Sequence, residues 1–191
     1  MKHCMKGLFR AVALFACAAA TFSAAGGAQV GARITDFSLP ASDGQERTLS
    51  QHAGKIVLLE FWSFKCPVTL ALNERMAGLH KKYEPKGVVV LAVASNRNES
   101  EEEVRRNAAN LKLPFPVLLD ADGLLADRLG ATHTPTIFIL DRQGVLRYRG
   151  AFGDDRGRSY AEEALDALLA GQPVPRPQTQ ETGCAIRRSA L

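Results

Sequence analysis

Alternating strand-like and helix-like segments predict an α/β fold with a central mixed β-sheet and helices on both faces. Two apolar runs, Ile56–Trp62 (IVLLEFW) and Val88–Ala94 (VVVLAVA), have the character of strands covered on both sides, as in a parallel sheet. Between them Val68, Leu72, Met76, Leu79 and Tyr83 recur at helical spacing and line one face. Later, Asp141-Arg142-Gln143-Gly144 supplies a hairpin turn and so an antiparallel pair.

The elements follow in order. Residues 29–54 read as an extended lead-in, in which Phe37 and Leu39 alternate and Asp43-Gly44 marks a tight turn. The first buried strand and its helix come next, and Pro85 with Gly87 ends that helix. After the second strand, Ser100 and Glu103 have capping-box spacing before a helix over 101–111. Glu101 and Glu102 stand at its positive end. A short strand over 117–119, a short helix over 123–129, and strands over 136–140 and 145–148 follow. The last amphipathic helix runs over 159–169. Pro173, Pro175 and Pro177 then cluster, which marks residues 171–191 as a tail rather than a packed element.

At 191 residues the chain has the length of one domain with appendages. Hydrophobic residues make up 46% and charged residues 23%, the composition of a globular domain rather than a disordered one. No apolar run beyond residue 30 reaches the roughly 18 residues needed to span a bilayer, so stable membrane insertion is not expected after processing. The net charge is +4, but Lys2, Lys6 and Arg10 stand in the first 28 residues, which carry no acid. Without them the chain stands at +1, and a near-neutral domain does not point to nucleic acid.

Those first 28 residues have the plan of a secretory signal peptide. A basic start precedes the uncharged stretch 11–25 (AVALFACAAATFSAA), and small residues cluster from Ala24 to Ala28. Cleavage after Ala25 and cleavage after Ala28 both fit. A retained N-terminal anchor helix is a competing reading, as is a lipoprotein processed at Cys17. The expected domain plan is a signal over 1–28, one domain over 29–170, and a tail over 171–191 carrying Cys184. The expected location is an oxidising compartment outside the cytoplasm, such as a bacterial periplasm.

Export alters the cysteine arithmetic. Of Cys4, Cys17, Cys66 and Cys184, processing removes the first two. The remaining pair is 118 residues apart in sequence, which is neither a disulfide framework nor a zinc spacing. His52 and His80 also lack metal-ligand spacing, and no metal or cofactor is expected. No phosphate loop, dinucleotide glycine pattern or serine-elbow motif is present.

The informative junction is Glu60-Phe61-Trp62-Ser63-Phe64-Lys65-Cys66-Pro67-Val68-Thr69. Proline is favoured at the first helical position, so Cys66 falls on the N-cap. A sulfur there faces unpartnered backbone N–H groups and the positive end of the helix dipole, which favour the thiolate. Lys65 adds a neighbouring cation. Strand-to-helix loops at the carboxyl ends of strands are also where α/β sites form. Local physics thus marks Cys66 as a nucleophile. The bland alternative is a buried cysteine that packs as a small hydrophobe.

This junction resembles the redox-site region of the thioredoxin superfamily. The stretch 30–44 (VGARITDFSLPASDG) resembles the start of peroxiredoxin-like redoxin domains, the AhpC/TSA group. The stretch 130–150 (GATHTPTIFILDRQGVLRYRG) resembles their cis-proline strand and hairpin. The ending GCAIRR is similar to the Gly-Cys ending of one peroxiredoxin-like subgroup. The resemblance spans residues 30–187 and implies a thioredoxin-like fold. It puts Cys66 at the attacking thiol, Pro135 at the cis-proline with Thr134 before it, and Glu60 at the buried acid that relays protons.

One departure matters. The usual CxxC is here Cys66-Pro67-Val68-Thr69, and the Thr69 hydroxyl cannot resolve a mixed disulfide. Read the other way, Ser63-Phe64-Lys65-Cys66 resembles the TxxC of peroxiredoxins. The leading expectation is therefore an antioxidant thiol oxidoreductase that acts through the single active-site cysteine Cys66 on peroxide or disulfide substrates. An external thiol serves as reductant, and Cys184 is the available resolving thiol. Ser63, Thr69, Thr134 and Pro135 are the expected substrate-side residues. The alternatives are a monothiol protein-disulfide reductase or isomerase, and a binding module that keeps the fold without turnover.

Overall fold

The computed structural model describes Met1 and residues 26–188. The expected signal over 1–28, with Cys4 and Cys17, therefore lies almost wholly outside the described residues. The lead-in folds into a small hairpin, β1 (Ser38–Pro40) and β2 (Glu46–Thr48), closed over Gly44 at φ +82°. Then come β3 (Ile56–Trp62), α1 (Pro67–Tyr83), β4 (Val88–Ala94), α2 (Glu101–Asn110), β5 (Val117–Leu119) and α3 (Leu124–Leu129). The chain continues through β6 (His133–Thr134), β7 (Thr136–Leu140), β8 (Leu146–Gly150), α4 (Tyr160–Leu169) and β9 (Cys184–Ala185).

The central sheet has the order β5-β4-β3-β7-β8. β3 and β5 run parallel to β4, whereas β7 runs antiparallel to both β3 and β8. All seven side chains of β3 are buried, which explains why that strand lacks polar alternation. Its residues alternate between two cores. Ile56, Leu58 and Trp62 face α1, α2 and α4, against Leu72, Met76, Val104 and Leu165. Val57, Leu59 and Phe61 face α3 and the lead-in, against Ile34, Phe37, Leu125 and Leu129. Helices thus cover both faces of a mixed sheet, as the sequence pattern predicts.

Local signals act where they were read. The Ser100 hydroxyl accepts from the Glu103 N–H at 3.3 Å, and the Glu103 carboxylate accepts from the Ser100 N–H at 2.9 Å, a complete capping box. The Asp141 carboxylate accepts from the N–H groups of Gln143 and Val145 and so folds the β7–β8 turn. β8 runs two residues further than expected, with a register shift between Ile139 and Leu140. Among the described residues no helix is long and apolar enough to cross a membrane.

The C-terminal segment departs from expectation. It does not hang free but packs along the domain. Its proline-rich part runs extended beside β8, where Arg149 N–H donates to the Pro177 carbonyl and Thr179 N–H donates to that of Arg149, both at 3.1 Å. The Thr179 hydroxyl meets Tyr148 Oη at 2.8 Å and accepts from Ala151 N–H at 3.0 Å. Glu181 pairs with Arg149 at 2.8 Å, both largely shielded from solvent, and accepts from the Thr132 hydroxyl at 2.7 Å. β9 then pairs antiparallel with β6. Prolines remove donors but leave carbonyls and an extended backbone, and sheet edges supply the complementary groups.

Candidate functional site

The parallel strands β3 and β4 end at the same level, and the loops beyond them form the site. β3 ends at Trp62, Ser63 to Lys65 turn, and α1 begins at Pro67 with Cys66 at its N-cap in extended conformation. Phe61 of β3 lies opposite Thr136 of β7, so the residues just before β7 stand beside the start of α1. The Thr134–Pro135 bond is cis, as the resemblance implies. The Cys66 thiol donates to the Thr134 carbonyl oxygen at 3.1 Å.

Cys66 is only 1% exposed. Burial disfavours its thiolate, yet the surrounding donors outweigh burial and bring the thiol down to about 7. The polar groups around the sulfur that favour its thiolate are the Cys184 thiol, the Thr69 N–H and hydroxyl, and the Thr134 side chain. The sulfur makes one hydrogen bond, to the Thr134 carbonyl, and the hydroxyls of Thr69 and Thr134 are both buried with no hydrogen-bond partner. Cys184 responds in the opposite sense. Its contact with Cys66 pushes its thiol up, and the Val68 N–H at the helix start only partly compensates. Both thiols are free, and Cys184 is half-buried where Cys66 is covered.

The structure assembles Cys66, Thr69, Thr134, Pro135 and Cys184. It does not bring the Lys65 ammonium to the sulfur. That group donates to the Asn98 carbonyl and lies 3.8 Å from Glu103 at the start of α2. The ammonium's hydrogen bond and ion pair are thus directed to the start of α2, away from the role of holding the thiolate that its place in the sequence suggests. A flexible side chain follows the nearest carboxylate and carbonyl, and the helix end and hydroxyls act on the sulfur instead. Ser63 is buried, and its hydroxyl donates to Glu99 and accepts from the Lys65 N–H at 3.1 Å. Its polar atoms thus serve the turn before Cys66.

Glu60 faces the core beneath α1 and is 0% exposed. Neither carboxyl oxygen has a hydrogen-bond partner. Burial alone pushes it up to about 8, so it carries a proton at neutral pH. Sequence reading missed a second buried acid, Glu99, which is 6% exposed. Its Oε1 accepts from Ser63 and from Lys65 N–H at 3.3 Å, while Oε2 has no partner. Burial raises it, against those hydrogen bonds. Glu99 lies within the polar run NRNES, whose only sequence signal is the helix start that follows. The cleft over the sulfur is lined by Lys65, Asn98, Glu99, Arg187 and Arg188 around the two cysteines.

Two measurements test this site. Between the ordinary carboxyl value of 4.5 and about 8, the native state keeps a proton on Glu60 that the unfolded chain has lost. Stability is then fully present below that window and falls as pH rises through it. In urea unfolding between about pH 5 and about pH 8, the wild type should lose up to about 1.4 kcal/mol per pH unit relative to Glu60→Gln. A parallel pH dependence in the two proteins removes the proton from Glu60. Second, Cys184→Ala deletes a donor to the Cys66 sulfur. Thiolate absorbance should show the Cys66 midpoint rising from about 7 toward an ordinary thiol. An unmoved midpoint removes Cys184 as a donor.

Comparison with known proteins identifies the family and the fold. Residues 30–149 match the AhpC/TSA family. The thioredoxin-like protein YneN of Bacillus subtilis is 36% identical over 121 residues, 63% of this chain and 71% of that protein. The thiol-disulfide oxidoreductase ResA of Geobacillus thermodenitrificans is 31% identical over 118 residues, 62% of this chain and 67% of that protein. The crystal structure of a hypothetical protein from Sinorhizobium meliloti matches with a TM-score of 0.78 at 31% identity, covering 86% of this chain and 97% of that one. The fold is thioredoxin-like, and the chain belongs to the AhpC/TSA family.

Proposed function

We infer that the protein is a thiol–disulfide oxidoreductase whose redox pair is Cys66 with Cys184. A thiol-dependent oxidoreductase follows from family and relatives. The observation that carries the finer reading is the contact between the lowered Cys66 thiol and the Cys184 thiol, in a chain with Thr69 at the usual second-cysteine position. In exchange, the Cys66 thiolate attacks one sulfur of a substrate disulfide. A Cys66–substrate bond forms, and the other substrate sulfur leaves as a thiolate. The Cys184 thiolate then attacks Cys66 Sγ and expels the second substrate thiolate. Two electrons have passed to the substrate, and a Cys66–Cys184 disulfide remains for an external thiol to reduce. The substrate is a protein or small-molecule disulfide, and the two protons given up by the Cys66 and Cys184 thiols balance the two departing thiolates, with Glu60 as the buried proton store beneath α1.

Of the two substrate classes in the leading expectation, peroxide and disulfide, peroxide has less support. Curated relatives such as ResA are named as thiol-disulfide oxidoreductases, and a second thiol stands beside the sulfur. We also read the first 25 residues as an export signal, followed by one domain with its docked tail. The segment kept after Ala25 belongs to the fold. Gly27 packs so closely on Gly130 that a Cβ would overlap it, and the Ala28 carbonyl accepts from Arg149 at 3.1 Å.

Cys66→Ser should lose reduction of a disulfide substrate entirely. Cys184→Ser should instead accumulate the Cys66 mixed disulfide, visible as a mass increase that a reductant removes. Full turnover in Cys66→Ser overturns the reading, and rapid peroxide consumption without disulfide exchange moves it to the peroxidase. Intact-mass measurement of the exported protein should place its first residue at Gly26. A start at Gln29, or lipid on Cys17, contradicts that assignment.

A further inference from the structure

β9 lies where an incoming polypeptide would have to lie. Cys184 stands opposite Thr134 and Ala185 opposite His133 in an antiparallel pair, and Ile186 N–H donates to the Thr132 carbonyl at 2.9 Å. Among the described strands, β6 pairs with nothing else. An open edge of this kind is what an extended peptide uses when it adds a strand to a protein.

Three features seat the segment. Gly183 adopts φ +119°, and a Cβ there would overlap the Thr134 carbonyl and press on the Pro135 ring. Ile186 is 7% exposed and packs into the core cluster that holds Leu125, Leu129 and Ala131. Arg187 N–H donates to Asn96 Oδ1 at 2.7 Å, and its carbonyl accepts from Arg97 N–H at 2.9 Å. The segment thus bridges the loop before β7 and the loop after β4, over the sulfur. Cys66 has almost no solvent exposure while it is there.

We propose that residues 183–187 are a tethered occupant of the edge that client polypeptides take. That edge reads an extended cysteine-bearing segment with glycine just before the cysteine and a branched aliphatic residue two after it. The proposal rests on the exchange reading of Cys66. A client sulfur must come where the Cys184 sulfur now sits, so tail and client exclude one another. The residue before the client cysteine crosses the Thr134 carbonyl, where there is no room for a side chain. The residue two after it enters the apolar site of Ile186. After the Cys66–client bond forms, the tail displaces the client backbone from β6 while the client sulfur stays bonded, and so brings the Cys184 thiolate to Cys66 Sγ. Its attack breaks that bond and releases the client thiolate, so the step that resolves the bond also clears the edge.

The test uses the full chain as wild type, Gly183→Val and Ile186→Ser, the second variant covering a folding failure of the first. Cys66 alkylation by iodoacetamide, located by peptide mass spectrometry, should be about tenfold faster in Gly183→Val, with a smaller gain in Ile186→Ser. Synthetic peptides spanning 179–188, with the cysteine activated as a thiopyridyl disulfide, are then offered to the undocked variant. The native order should be captured about tenfold faster than peptides with valine for the glycine or aspartate for the isoleucine. Wild-type alkylation at the variants' rate, or equal capture of the three peptides, overturns the proposal. A Cys66 that exchanges with dithiodipyridine but ranks no peptide sinks this inference alone, whereas a Cys66 inert to every disulfide sinks the exchange reading beneath it.

Discussion

A sulfur taken out of water must be given hydrogen-bond donors if it is to ionise, and this chain supplies them from three distant segments. The start of α1 gives the Thr69 N–H and hydroxyl, the loop before β7 gives Thr134, and the C-terminal strand gives Cys184. Thr69 reaches Cys66 within the first turn of α1, but Thr134 and Cys184 reach it only through the strands. β3 sets the height at which α1 begins, and pairing of β3 with β7 brings Thr134 alongside. The edge of β6 then receives β9. Strand order is therefore the geometric source of the thiol's acidity.

Two buried carboxyls flank the same loop with different surroundings. Glu60 lies in the apolar core with no partner, and only burial acts on it. Glu99 is held by the Ser63 hydroxyl and the Lys65 N–H, so its negative form has partial support and its second role is to fix the turn that presents Cys66. The two acids thus differ in what they do best. One stores a proton in the core, and the other shapes the mouth of the cleft.

Much of the architecture was legible because its causes are local. Apolar runs without alternation marked β3 and β4, the Ser100–Glu103 spacing marked the start of α2, and Pro67 placed Cys66 at an N-cap. What was not legible depends on partners far away in sequence. Lys65 looked like a cation for the sulfur because it is next in the chain, yet its ammonium turns to Asn98 and Glu103. The three clustered prolines looked like the start of a loose tail. Their fate is decided by the free edges of β8 and β6, which no local pattern in residues 171–191 announces. Glu99 is an acid among polar residues, and only the folded loop buries it.

Arg149 joins features described separately. Its guanidinium holds the Ala28 carbonyl, the Gly130 carbonyl and the Glu181 carboxylate, and it lies over the Phe138 ring. One side chain therefore clamps the two ends of the folded region together on the back of β8. Whatever is attached ahead of residue 28, whether a lipid, an anchor or a fusion partner, pulls on the same group that steadies the segment leading to Cys184. The ends of this molecule are not independent handles, and a tether at one is mechanically connected to the chemistry at the other.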